Sequence, residues 1–278
     1  MKLTKILLPV DFSEQGDGAV QQAAALARHF HAELILLHVN PIQVAALMLP
    51  AEFSGPIDTG WITALEAQQR KELDAYHPAD LAGIDVRKLV VTGDPAASIV
   101  DFAHSENPDL IVMPTHGYGP FRRFLLGSVA AKVLHDVDTP VWTGAHLQKN
   151  SQPMWKRIGK VICAVDLRMA EPALLWARDF ASEFKAEVIV VHAVEDRRGP
   201  ASAAEAHEYI RCLQRKLAVA GEILIEEGNP AQVVQAAANR RNADLAVIGR
   251  SQREGVSGRF RMNAYSIVRD APCPVVSV

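Results

Sequence analysis

Four stretches of the first half of this chain recur in the second half, in the same order, and nothing else in the sequence constrains the fold as strongly. KILLPVD (Lys5–Asp11) matches KVICAVD (Lys160–Asp166), and ALARHFHAELILLHV (Ala25–Val39) matches DFASEFKAEVIVVHA (Asp179–Ala193). GDPAASIVDFAHSENPDLIVM (Gly93–Met113) matches GNPAQVVQAAANRRNADLAVI (Gly228–Ile248), and VLHDVDTPVWT (Val133–Thr143) matches IVRDAPCPVVSV (Ile267–Val278). The period is that of a whole domain, not of a solenoid unit. The chain has 278 residues, so each half is long enough to bury its own core. The polar stretch HLQKNSQPMWKR, from His146 to Arg157, separates the halves and sets the expected domains at 1–146 and 156–278.

Within each half, short apolar runs alternate with helical patterns. In the first half the runs are Ile6–Val10, Leu34–Val39, Val86–Val91, Leu110–Met113 and Pro140–Thr143. Helical candidates lie between them at Glu14–Phe30, Ile62–Tyr76, Pro95–Ser105 and Ser128–His135. The second half repeats the plan with strands near Val161–Val165, Val188–Val194, Glu222–Ile225, Leu245–Ile248 and Val275–Val278. The runs are nearly continuous rather than alternating, as expected of parallel strands covered by helices on both faces. The expectation is α/β, with two tandem doubly wound domains.

Composition narrows the class of partner. The net charge is −3 with no long basic block, which gives no footing for a nucleic-acid backbone. No run approaches the roughly 20 apolar residues of a membrane span, and the apolar N-terminal run is too short for a signal-peptide core. Cys163, Cys212 and Cys273 are far apart and form no paired motif, so they read as free thiols. A cytoplasmic protein is the expectation.

In a doubly wound sheet, ligands sit beyond the carboxyl ends of the strands. At the first strand's end, Asp11 caps a helix with Ser13 or accepts from a ligand. At the second, His38 lies in an apolar run and reads as a packed core residue, recurring as His192, while Val39 offers a wall for a flat pocket. After the fourth comes PTHGYGPFRRFLLGS (Pro114–Ser128), with Gly127–Ser128 opening a helix. Free N–H groups at such a start favour phosphate. Arg122 and Arg123 face a phosphate or a second subunit, or are solvated charges. Neither GxxxxGK[ST] nor GxGxxG is present.

These residues resemble the universal stress proteins in their tandem-domain form, over essentially the whole chain. Nucleotide-binding members carry G-x2-G-x9-G-[ST] after the fourth strand, and here the pattern reads Pro114-x2-Gly117-x9-Gly127-Ser128. Pro114 replaces the first glycine and brings no N–H. The resemblance implies five-stranded parallel sheets in the order 3-2-1-4-5, flanked by helices and joined as a pseudo-two-fold pair through their last strands. It implies an adenine nucleotide, ATP or another, with Mg2+ as an optional companion. Asp11 and Val39 would then lie near adenine and ribose, and Met113 against the base. His116, Gly117, Gly127, Ser128 and Val129 would border the phosphates and ribose.

The second half departs from the pattern. Arg261–Met262 stands where Gly127–Ser128 stands in the first, which reads as a lost phosphate site. Its loop carries Arg250, Arg253, Arg259 and Arg261, read as solvated charges, with a cryptic anion site as the alternative. The segment Asn40–Trp61 is long and irregular, a lid or an interface cover. The function expected is that of a stress-response regulatory protein that binds a nucleotide without catalysis or with very slow turnover. Two alternatives stand beside it: a nucleotide-free dimerisation or scaffold module, and a slow ATPase. Pairing of the halves within the chain leaves a homodimer open.

Overall fold

The computed structural model describes residues 1–14, 16–41, 60–115, 126–144, 158–194, 203–250 and 258–278. In the first half, strands β1 (Lys5–Val10), β2 (Glu33–Asn40), β3 (Val86–Thr92), β4 (Leu110–Pro114) and β5 (Val141–Gly144) alternate with helices. The helices are α1 (Gly16–Phe30), α2 (Gly60–Asp74), the short α3 (Pro78–Leu81), α4 (Pro95–Glu106) and α5 (Ser128–Asp136). The second half carries β6 (Lys160–Ala164), α6 (Ala170–Phe184), β7 (Glu187–Val194), α7 (Ala203–Leu217), β8 (Glu222–Glu227) and α8 (Pro230–Arg241). It ends with β9 (Leu245–Ile248), α9 (Gly258–Asp270) and β10 (Val275–Ser277).

All ten strands form one sheet in the order β3-β2-β1-β4-β5-β10-β9-β6-β7-β8. Each half therefore has the 3-2-1-4-5 order, parallel throughout. The halves join where β5 and β10 run antiparallel, with Trp142 opposite Val276. Those two residues occupy equivalent positions of the repeat, so the seam has a local two-fold axis.

The recurring residues build the same local devices twice. Asp94 accepts from the Ala97 N–H at 2.8 Å ahead of α4, and Asn229 accepts from the Ala231 N–H at 3.0 Å ahead of α8. A proline follows each cap at the first helical position, where its missing N–H costs nothing. Both helices end on asparagine in the left-handed region, Asn107 at φ 48° and Asn242 at φ 51°. Asp109 takes the N–H groups of Thr4 and Lys5, and Asp244 takes those of Gly159 and Lys160, so each acid holds the start of its half's first strand. His38 donates from Nδ1 to the Val10 carbonyl at 2.8 Å, and His192 does the same to Val165 at 2.9 Å. Both therefore hold strand ends together.

The sheet's two faces are packed differently. On the α1/α6 face one apolar core runs across the seam, from Leu8 and Leu36 through Trp142 and Val276 to Phe180 and Val190. Alanines at 19, 23, 24 and 27 let α1 lie close on the strands. On the α5/α9 face each half keeps its own core, and Leu126 packs against both.

The three cysteines make a direct check on this packing. Cys212 is exposed, while Cys163 and Cys273 are buried. Burial pushes the Cys163 thiol well above the usual range, and burial with Asp244 nearby pushes Cys273 up to about 12. A disulfide-exchange reagent should find one fast thiol in the folded chain. The other two should react only as fast as the chain opens, because the thiolate is the reactive form.

Candidate functional site

The carboxyl ends of β2, β1 and β4 lie side by side, because β1 is the strand on whose two sides the connections diverge. Asp11 leaves β1 exposed to solvent. Its Oδ1 accepts from the Ser13 N–H at 3.0 Å and the Ser13 hydroxyl at 2.6 Å, and the Ser13 carbonyl accepts from Gly16 at 2.9 Å. Asp11 thus shapes the turn into α1 through one oxygen, from the exposed rim of the sheet. Phe12, between them, holds φ 58°, a costly torsion for a bulky residue. Its ring packs on His38 at 4.5 Å and on Tyr76 at 5.4 Å.

Val39 and Met113 point to the α4/α5 face and share one apolar cluster with Ile99, Val100 and Ala130, against which Val129 packs. The structure therefore brings Val39, Met113 and Val129 together. Gly127 and Ser128 lie at the start of the same helix as Val129, and Ser128 is exposed. His116 and Gly117, with Arg122 and Arg123, lie outside the described residues, as do most of the Asn40–Trp61 segment and the linker at 145–157. Pro114 closes β4 opposite Gly144 at the strand's last position, where a missing N–H disturbs the ladder least.

The start of α5 differs from those of α4 and α8. Its N-cap is Gly127, which has no side chain to accept from the first turn. The helical ladder begins with the Ala131 N–H on the Gly127 carbonyl at 2.8 Å. Among the described residues this leaves the N–H groups of Ser128, Val129 and Ala130 at the positive end of the helix without a capping side chain. Gly127 sits at φ −62°, ψ 148°, a conformation open to any residue. What it contributes is the absence of a side chain above those donors.

Two features of the site have no signal in local sequence. The Gly127 N–H donates to the Thr115 carbonyl at 2.8 Å, closing the loop between β4 and α5 at its base. That amide serves the fold, which leaves the next three as donors. The second is Arg250. It stands just beyond β9 and is half-buried, not solvated as the sequence suggested, because its guanidinium lies against the other half across the seam. In the other half its guanidinium donates to the Leu134 carbonyl in the last turn of α5 at 3.2 Å, and to the carbonyls of Asp138 at 3.3 Å and Thr139 at 2.6 Å in the connection that follows. Burial pulls its pKa down to about 10, with Asp138 opposing, so the group keeps its charge at neutral pH. Arg253 and the side chains of Arg259, Arg261 and Met262 lie outside the described residues.

Among the described residues no group of three His, Cys, Asp or Glu side chains could hold a metal ion. Among them, too, no helix is long and apolar enough to cross a membrane.

Two doubly wound domains joined edge to edge through their last strands define a tandem α/β protein. The universal stress protein family model matches it twice, over residues 2–143 and 157–278, and the chain belongs to that family. A universal stress protein of Methanocaldococcus jannaschii is 33% identical over 138 residues, covering 49% of this chain and 79% of its own. A universal stress protein A homolog of Coxiella burnetii is 30% identical over 136 residues, covering 49% of this chain and 91% of its own. A solved universal stress protein from Archaeoglobus fulgidus has the same fold over 98% of this chain and 95% of its own, with a TM-score of 0.74 at 23% identity.

Proposed function

We propose that the first half, residues 1–146, binds an adenine nucleotide, ATP or another, and that the chain acts through this occupancy rather than through turnover. The base lies against Val39 and Met113, Asp11 accepts from the base or ribose, and the phosphates meet the first turn of α5 at Gly127, Ser128 and Val129. His116 and Gly117 complete the phosphate side. One observation carries the reading: a helix start with a glycine N-cap, whose first three N–H groups have no partner among the described residues, beside an apolar cluster at the sheet's switch point. The second half, residues 156–278, replaces Gly127–Ser128 by Arg261–Met262 and takes no phosphate. Membership of the family supports a stress-response role.

A thermal-melt titration with ATP and Mg2+ tests this. A ligand that binds only the folded chain must raise its melting temperature, by about 2.7 kcal/mol of added stability at a hundred times Kd. A rise with ATP and none with GTP is the expected result. No rise at millimolar ATP would leave the nucleotide-free scaffold. Steady phosphate release would move the assignment to a slow ATPase, which needs a charge-stabilising site for the transferred group.

A further inference from the structure

Helix α5 is pinned at three places, and the second half supplies two of them. At its amino end the Gly127 N–H is held by the Thr115 carbonyl. At its middle the Tyr265 hydroxyl donates to the Ala131 carbonyl at 3.2 Å. At its carboxyl end Arg250 holds the Leu134 carbonyl, and just beyond the helix those of Asp138 and Thr139. Arg250 is itself fixed by its backbone, whose N–H donates to the Val278 carbonyl at 2.7 Å. An arginine at this end satisfies carbonyls that the helix cannot and complements its dipole.

We infer that Arg250, with Tyr265, is a positioning residue for the anion site of the opposite half: it holds the carboxyl end of α5 and so fixes where the first turn presents Ser128, Val129 and Ala130. The inference rests on the nucleotide reading of that turn. A nine-residue helix is only about 13 Å long and moves as one body, so restraint at one end sets the place of the other. The arrangement runs one way. The position equivalent to Arg250 in the first half is Thr115, whose side chain is too short to make the same reach. Opposite Tyr265 stands its own equivalent, Ala131, whose small side chain leaves room for the phenol. The half that lost Gly–Ser has thus gained the residues that serve its partner's site.

The test uses the full chain with Arg250→Ala, Arg250→Lys and Tyr265→Phe, read by amide hydrogen exchange without nucleotide and by calorimetry with Mg2+–ATP. The amides of Gly127 and Ala131 report the amino end of α5, and that of Val137 its carboxyl end. Arg250→Ala should speed exchange at all three, by about tenfold at Gly127 and Ala131. It should also weaken ATP roughly fivefold, with Arg250→Lys recovering part of both. Faster exchange confined to Val137 and the β5–β10 amides, with ATP affinity unchanged, would overturn the inference and leave Arg250 as a seam residue only. If Arg250→Ala does not fold, the lysine and phenylalanine variants carry the same comparison. If the unaltered chain binds no ATP, the nucleotide reading fails, and faster exchange at Gly127 and Ala131 still supports the positioning of α5.

Discussion

Replacing Trp142 by alanine should destabilise the chain by about 3–5 kcal/mol, the range for truncating a fully packed large aromatic. Trp142 is 3% exposed on β5, at the seam itself. Its ring lies 5.7 Å from Phe180 of α6, which stacks in turn on Trp176 at 4.9 Å. Its indole N–H donates to Gln22 of α1 at 2.6 Å. The residue therefore joins helices of both halves to the central strand pair, in the one core that crosses the seam. Urea unfolding followed by the remaining tryptophans should show the loss. The transition should also separate into two steps, because each half keeps its own core on the other face. Trp142→Phe, which keeps most of the volume, should recover most of the stability. A single transition with unchanged midpoint in Trp142→Ala would mean that the halves are held together elsewhere.

The repeat itself and the helices and strands it carries were legible from the residues, whereas the Asp109 and Asp244 acceptors at the strand starts were not, because their partners lie about a hundred residues away. The helical candidate Pro95–Ser105 corresponds to α4, whose start is set by capping chemistry that needs only two or three adjacent residues. The apolar runs announced buried parallel strands for the same reason, and the observed strands begin and end within two residues of them. Strand order followed from the family resemblance, and the ten-stranded sheet bears it out. The short helix Pro78–Leu81 gave no signal, since four residues carry no periodicity. The left-handed Phe12 is invisible as well. Its torsion is held by the rings of His38 and Tyr76, which lie far along the chain.

Arg250 marks the boundary of what local reading can reach. In sequence it belongs to a basic loop, and such charges are ordinarily solvated. Its partial burial follows from the antiparallel register of β5 with β10, which sets the end of β9 against the end of α5. No periodicity records that register. The candidate site divides along the same line. Gly127–Ser128 is a helix start that any sequence reading would notice. That the Gly127 amide is already spent on Thr115, leaving the next three amides as donors, depends on how a loop closes in space. What the two halves share is scaffold; what they do not share is the Gly127–Ser128 helix start on one side and the Arg250 and Tyr265 contacts to that helix on the other.

That asymmetry makes Gly127→Val the sharpest test of the nucleotide site. Valine can adopt φ −62°, ψ 148° without strain, so the backbone need not move. Losing glycine at an N-cap to a β-branched residue costs on the order of 1 kcal/mol, and the melt without nucleotide should fall by no more than that. The two added methyl groups, however, stand over the N–H donors of Ser128, Val129 and Ala130. A phosphate must approach to about 2.9 Å to accept from them. ATP should therefore bind at least tenfold more weakly, a loss of about 1.4 kcal/mol or more, and its rise in melting temperature should vanish. Ser128→Ala removes only one hydroxyl and leaves the amides in place, so it should cost no more than a few-fold in affinity. If Gly127→Val kept the full ATP-dependent rise, the phosphates would have to sit away from α5. If Ser128→Ala matched it in effect, the hydroxyl rather than the helix start would carry the binding. The ordering of the two variants thus separates a site made of backbone donors from one made of a side chain.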